Sequence, residues 1–172
     1  AGMGGSVGLK GTDGDMYARA VALGAEPVSP QRTRDFLQHL DCLDQVNLLV
    51  GPGPMGEALV PSLSYQVVGE VGDTPGGADT RATAQAMLAA GAELIVFAGG
   101  DGTARDMVDA IGQQLPVIAI PSGVKVYSSV FAYNPLAAAE LLGAFVRGTD
   151  VAEEEVLDID EAAFREGRVD SH

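Results

Sequence analysis

A short apolar run, Leu94 to Ala98, ends in Gly99-Gly100, and Asp101, Gly102 and Thr103 follow. Residues 104–111 then read as an amphipathic helix. A strand, a glycine turn and a helix start form a layout for holding an anion, with backbone N–H groups and the positive helix end facing the ligand. Glycines let the main chain approach a phosphate closely and adopt positive φ. The acid is the unusual member, because a carboxylate repels phosphate. Its chemical reading is a general base, or a magnesium-linked group, for phosphoryl transfer to a hydroxyl. Its plain reading is a helix N-cap. The five residues Gly99 to Thr103 in this strand–helix setting favour the chemical reading, with Asp101 as the catalytic acid–base residue.

Two other glycine-rich stretches are candidates for the same site. Gly2, Gly4 and Gly5 open the chain, and Pro121, Ser122 and Gly123 follow the apolar run 117–120. Gly99, Gly100, Gly102 and Thr103 would form the phosphate cradle, with the Thr103 hydroxyl bonding a phosphate, capping the following helix, or both. Ser122 can donate to a ribose or phosphate, although a turn serine is the plainer reading. The only lysines are Lys10 and Lys125, both beside glycines. Both are natural suppliers of the cation an anion needs, with Lys125 assigned to the site, against a solvated loop lysine as the alternative for each. Arg105 can offset negative charge one helical turn in, or simply pair with Asp109 at i,i+4.

The motif Gly99-Gly100-Asp101-Gly102-Thr103 resembles the signature of the NAD kinase, diacylglycerol/sphingolipid kinase and phosphofructokinase superfamily. Ala1 to Gly5 is similar to the end of the first glycine-rich loop of such kinases. Gly8 to Gly14 and Pro121 to Ala132 resemble a prokaryotic branch of the ATP-NAD kinases that includes proteins linked to acetoin catabolism. The resemblance implies ATP with magnesium as phosphoryl donor, and Asp101 activating the 2′-hydroxyl of NAD's adenosine ribose. It also implies a homo-oligomer. The chain departs from the family at residues 119–125, where Pro121 stands in place of the asparagine of a Gly-Ile-Asn motif. Phosphoryl transfer is therefore implied more firmly than NAD as acceptor. The alternatives are a non-catalytic nucleotide-sensing domain, or a kinase for another acceptor such as an acetoin-pathway metabolite or a lipid.

The composition narrows the field. A net charge of −14, from 24 acids against 10 bases, argues against nucleic-acid binding. It argues more weakly against attachment to anionic lipid. No apolar run approaches the ~20 residues needed to span a bilayer. The one cysteine, Cys42, excludes an internal disulfide and fits a reducing, cytoplasmic setting. No dedicated metal cage is read from the sequence.

These loops need a scaffold. Short apolar segments at 46–50, 65–68, 94–98, 117–120 and 156–159 read as strands. Helices are expected at 13–23, 31–40, 79–90, 103–111 and 135–146, with Ser29 capping the second and Asn134 the last. A short helix is expected at 56–59 and a helical turn at 127–132. Alternation of this kind predicts an α/β fold: a doubly wound, mostly parallel sheet covered by helices on both faces. Residues 1–152 are expected to form the nucleotide-binding domain, with its first strand missing. Residues 153–172 are expected to begin a second, β-rich domain that is truncated. A doubly wound sheet would bring the three glycine loops to one edge.

Overall fold

The computed structural model describes residues 15–73, 75–123 and 126–157. Helix α1 spans Asp15–Ala22 and α2 spans Val28–Gln38. Strand β1 (Leu48–Val50) leads through two single-turn 3-10 helices to β2 (Tyr65–Val67). Then come α3 (Gly77–Ala89), β3 (Ile95–Gly99), α4 (Asp101–Ile111), β4 (Val117–Pro121) and α5 (Pro135–Val146).

The strands form two parallel pairs. β1 lies beside β2 with Leu48 opposite Tyr65, and β3 lies beside β4 with Ile95 opposite Val117 and Gly99 opposite Pro121. Among the described residues the two pairs are not joined by a strand ladder. Parallel neighbours need long crossovers, and helices supply them here.

The β3–β4 pair is buried on both faces, which is why its strands read as unbroken apolar runs. On one face Ile118 and Ile120 meet Phe36 of α2 and Ala138, Ala139 and Leu142 of α5. On the other, Ile95, Phe97 and Ala119 meet Ala84 of α3 and Ala104, Met107 and Ile111 of α4. The side-chain alternation of a strand sends successive residues to these opposite layers. This is the two-faced α/β arrangement expected from the sequence. Alanines at 138 and 139 let α5 come close to the sheet. Cys42 belongs to the first core layer. Burial, and then the Asp41 carboxylate, push its thiol pKa up, so it is a packing residue rather than a nucleophile.

Several element boundaries move from their expected places. α2 starts at Val28, with Pro27 rather than Ser29 at its N-cap position, because Pro27 already has the extended ψ of 120° that a cap needs. α4 starts at Asp101 rather than Thr103. Residues 56–59 are not an α-helix; Glu57–Leu59 is a single 3-10 turn. Residues 127–132 are not helical either. Phe131 forms a parallel bridge with Ala119, and Ala132 N–H donates to the Ala119 carbonyl at 2.9 Å, which holds this segment in sheet-like pairing. Val156 and Leu157 carry no strand pairing, and 158–159 lie outside the described residues. α5 begins as expected, with Asn134 Oδ1 accepting from Ala137 N–H at 2.8 Å.

α3 is fastened at its start by Asp79, whose carboxylate accepts from Gly72 N–H and Gly76 N–H, each at 2.9 Å. These two bonds, Gly72 first, hold the Asp79 pKa below its ordinary value. A lowered folded-state pKa adds stability that is present above the unfolded value of about 3.9 and is lost as pH falls through the folded pKa. Asp79→Asn is therefore expected to unfold at lower denaturant than the parent at pH 7, with the gap closing as pH drops below about 4. Urea titrations at both pH values check this; a gap that persists in acid would remove the assignment.

Candidate active site

The site is built where β3 and β4 end. Because the strands are parallel and Gly99 faces Pro121, the turn after each strand emerges on the same edge. Ser122 N–H donates to the Gly99 carbonyl at 2.9 Å and locks the two turns together. Two of the three glycine loops therefore meet. The third, with Gly2, Gly4 and Gly5, lies outside the described residues, as does Lys125.

Gly100, not Asp101 or Thr103, occupies the N-cap position of α4, with φ −123° and ψ −167°. No side chain caps this end. The first intrahelical bond runs from Ala104 N–H to the Gly100 carbonyl at 3.0 Å, so the amides of Asp101, Gly102 and Thr103 precede the helix ladder. Such amides, at the positive end of the helix, suit an anion.

Gly99 is required for space rather than for handedness, contrary to the positive φ expected. None of Gly99, Gly100 and Gly102 has positive φ among the described residues. A Cβ at Gly99 would lie 2.5 Å from Thr103 Cβ, so the threonine sits directly over that glycine. A Cβ at Gly100 or Gly102 would meet nothing within 4 Å. Gly102 lies inside the first helical turn, where glycine costs roughly 0.8–1.0 kcal/mol relative to alanine. Stability is given up there while space is left open beside the amides.

Asp101 is half-buried, and its carboxylate crosses to the segment after β4. Tyr127 N–H donates to Oδ2 at 3.0 Å and to Oδ1 at 3.3 Å. Ser128 N–H donates to Oδ1 at 3.0 Å, and Ser128 Oγ–H to Oδ1 at 2.5 Å. This is not an N-cap, because the carboxylate binds a loop 26 residues away instead of its own helix. Oδ1 is taken up by these donors. Oδ2 has one well-placed donor and therefore keeps acceptor capacity.

Ser122 is 3% exposed, and its Oγ has no hydrogen-bond partner among the described residues. Buried hydroxyls are normally paired, so an unpaired one beside the turn suits a ligand atom or water. Pro121 and Gly123 line a cleft of about 360 Å³ together with Arg32, Ser128, Ser129 and Tyr133. Arg32 reaches it from α2 and is the one cation lining it among the described residues. Arg105 pairs with Asp109 at 3.3 Å, as its plainer reading had it. Asp106, the residue after Arg105 in α4, pairs with Arg81 of α3.

Arg32, Tyr127 and Ser128 carried no site role in the sequence reading. Arg32 sits in a polar helix far from any glycine motif. The contribution of Tyr127 is a backbone amide, which no residue type announces. No group of three or more His, Cys, Asp or Glu side chains comes together as a metal site among the described residues. No described helix is long and apolar enough to cross a membrane.

Parallel strand ends, helices on both faces and a glycine turn opening a helix describe an α/β domain of the nucleotide-binding type. The family model of the ATP-NAD kinase N-terminal domain matches residues 29–150, and the chain belongs to that family. Membership makes it a nucleotide-binding domain of an ATP-dependent kinase family. No curated protein and no solved structure matches the chain.

Proposed function

We propose that this chain supplies the nucleotide-binding half of an ATP-dependent small-molecule kinase, with NAD as the leading acceptor. The reading is carried by the Asp101 carboxylate, anchored through Oδ1 beside the uncapped start of α4. In it, the triphosphate lies against the amides of residues 101–103, with Gly100 and Gly102 leaving room for it. Arg32 and Lys125 offset its charge, and Ser122 Oγ bonds a ribose or phosphate oxygen. Magnesium arrives with ATP as part of the substrate and keeps several waters.

The acceptor hydroxyl approaches Asp101 Oδ2. Its oxygen forms a bond to the γ-phosphorus as the bond from that phosphorus to the β-bridging oxygen breaks. The electron pair leaves with ADP, and the hydroxyl proton passes to Asp101 and then to solvent. Gly2, Gly4 and Gly5 are assigned to phosphate binding in the same scheme. The protein works in the cytoplasm as a homo-oligomer, and a second unit beginning near residue 153 completes the acceptor site.

The test is a screen of hydroxyl acceptors, NAD first, with the full-length protein, ATP and magnesium, and products detected by mass. A phosphorylated acceptor together with ADP is the expected result. Binding of ATP with no product from any acceptor would instead favour a nucleotide sensor. Pro121, at the place where the family carries asparagine, is the reason to include acceptors other than NAD.

A further inference from the structure

Ser128 is buried, with 5% of its surface exposed, and both its hydroxyl and its N–H have defined partners. Its hydroxyl donates to Asp101 Oδ1 at 2.5 Å and accepts from Leu157 N–H at 3.0 Å. Its own N–H donates to the same Oδ1 at 3.0 Å. The next residue repeats the connection. Ser129 Oγ accepts from Glu155 N–H at 3.0 Å and lies 3.4 Å from the Glu155 carbonyl, to which it can donate. The chain thus leaves α5, runs through the acidic stretch 153–155, and returns to the carboxylate of the glycine turn.

A serine hydroxyl has one proton and two lone pairs. Here the proton is committed to Asp101 and one lone pair to Leu157, so the hydroxyl cannot turn without breaking a bond. The bonds run in one direction, amide to hydroxyl to carboxylate, and each polarises the next. A short bond to a charged acceptor is the strongest kind in the set.

We infer that Ser128 is the positioning residue for Asp101: it occupies Oδ1, leaves Oδ2 to take the acceptor proton, and makes that setting depend on residues 155–157. Its effect on turnover rests on the reading of Asp101 as the base. The hydrogen-bond relay itself does not. Ser128 acts through Asp101, so its loss is felt in the chemical step and not in nucleotide binding.

Three variants separate the outcomes. Ser128→Ala removes the hydroxyl, Ser128→Thr keeps it, and Leu157→Pro deletes the amide donor while leaving both side chains in place. In the full-length protein, Ser128→Ala is expected to lower kcat on the order of 10²-fold, as misplacement of a reacting group does, with KM for ATP unchanged. Ser128→Thr is expected to recover most of the loss, and Leu157→Pro to lower kcat in the same sense as Ser128→Ala. Amide hydrogen exchange supplies the reading that needs no turnover. Leu157 N–H is expected to be protected in the parent and to exchange at least about tenfold faster in Ser128→Ala, as a locally opened amide does. An unchanged kcat in Ser128→Ala would overturn the inference. So would equal losses in KM and kcat that threonine does not repair, or an unprotected Leu157 amide in the parent. If no acceptor is phosphorylated by the parent, the proposed function fails while the exchange result still decides whether the relay exists.

Discussion

Asp101→Asn is expected to lower kcat by about 10²–10⁴-fold, the range in which a positioned proton acceptor contributes. ATP affinity should change by no more than about threefold, or under 1 kcal/mol. The geometry explains why the two quantities part. Asparagine is nearly the same shape, and its Oδ1 can keep the bonds from Ser128 N–H and Ser128 Oγ–H. Its amide group then occupies the Oδ2 position and faces Tyr127 N–H, donor against donor. That exchange costs one hydrogen bond, about 1 kcal/mol of stability. The loss in turnover, at roughly 3–5 kcal/mol in the barrier, is several times larger and cannot come from unfolding of this size. The triphosphate contacts proposed here run through backbone amides, Arg32, Lys125 and Ser122, none of which the substitution removes. Isothermal titration with ATP and magnesium, alongside mass-detected turnover of the acceptor, checks both halves. A variant that keeps more than about a tenth of parental kcat would end the general-base role, since a lost proton acceptor costs at least about 10²-fold.

Much of this was legible in the sequence because it depends on residue type at short range. The apolar runs at 94–98 and 117–120 announced strands buried on both faces. Asn134-Pro135 announced the start of α5, since Asn caps and proline suits the first turn. The turn Gly99 to Thr103 announced a helix start at a strand end. What could not be read depends on tertiary contact. Residues 127–132 carry no helix-breaking feature, yet Phe131 bridges to Ala119 and the segment follows the sheet instead of coiling. The Asp101 partner lies 26 or 27 residues away, and part of it is main chain. Arg32 reaches the cleft only because α2 packs on β4, through Phe36 and Ile118, on the face away from α4. Positive φ was expected, whereas the backbone at Gly100 is extended and the requirement at Gly99 is room for Thr103.

That requirement sets the second large effect, Gly99→Ala. A methyl at Gly99 would be 2.5 Å from Thr103 Cβ and 2.9 Å from Thr103 Cγ2. Rotating the threonine relieves the Cγ2 contact but not the Cβ contact, because Cβ is fixed by the backbone of α4. The first turn of the helix must therefore shift from the end of β3, against the Ser122 N–H bond to the Gly99 carbonyl. Overpacking of this kind costs about 1–3 kcal/mol. For a domain of this size each kcal/mol lowers Tm by roughly 2–4 °C. The same shift moves the amides of residues 101–103, so ATP affinity falls with stability. Gly100→Ala is the contrasting case. Its Cβ meets nothing within 4 Å and its φ of −123° is open to alanine, so stability holds. Its methyl instead fills space kept for the phosphates, and only nucleotide affinity falls. Adding Thr103→Ala to Gly99→Ala leaves the Cβ conflict in place and is expected to restore little. Thermal unfolding and ATP titration of the three proteins separate a crowded backbone from a crowded side chain. Full recovery in the double variant would show that the threonine side chain, and not the helix backbone, sets the limit.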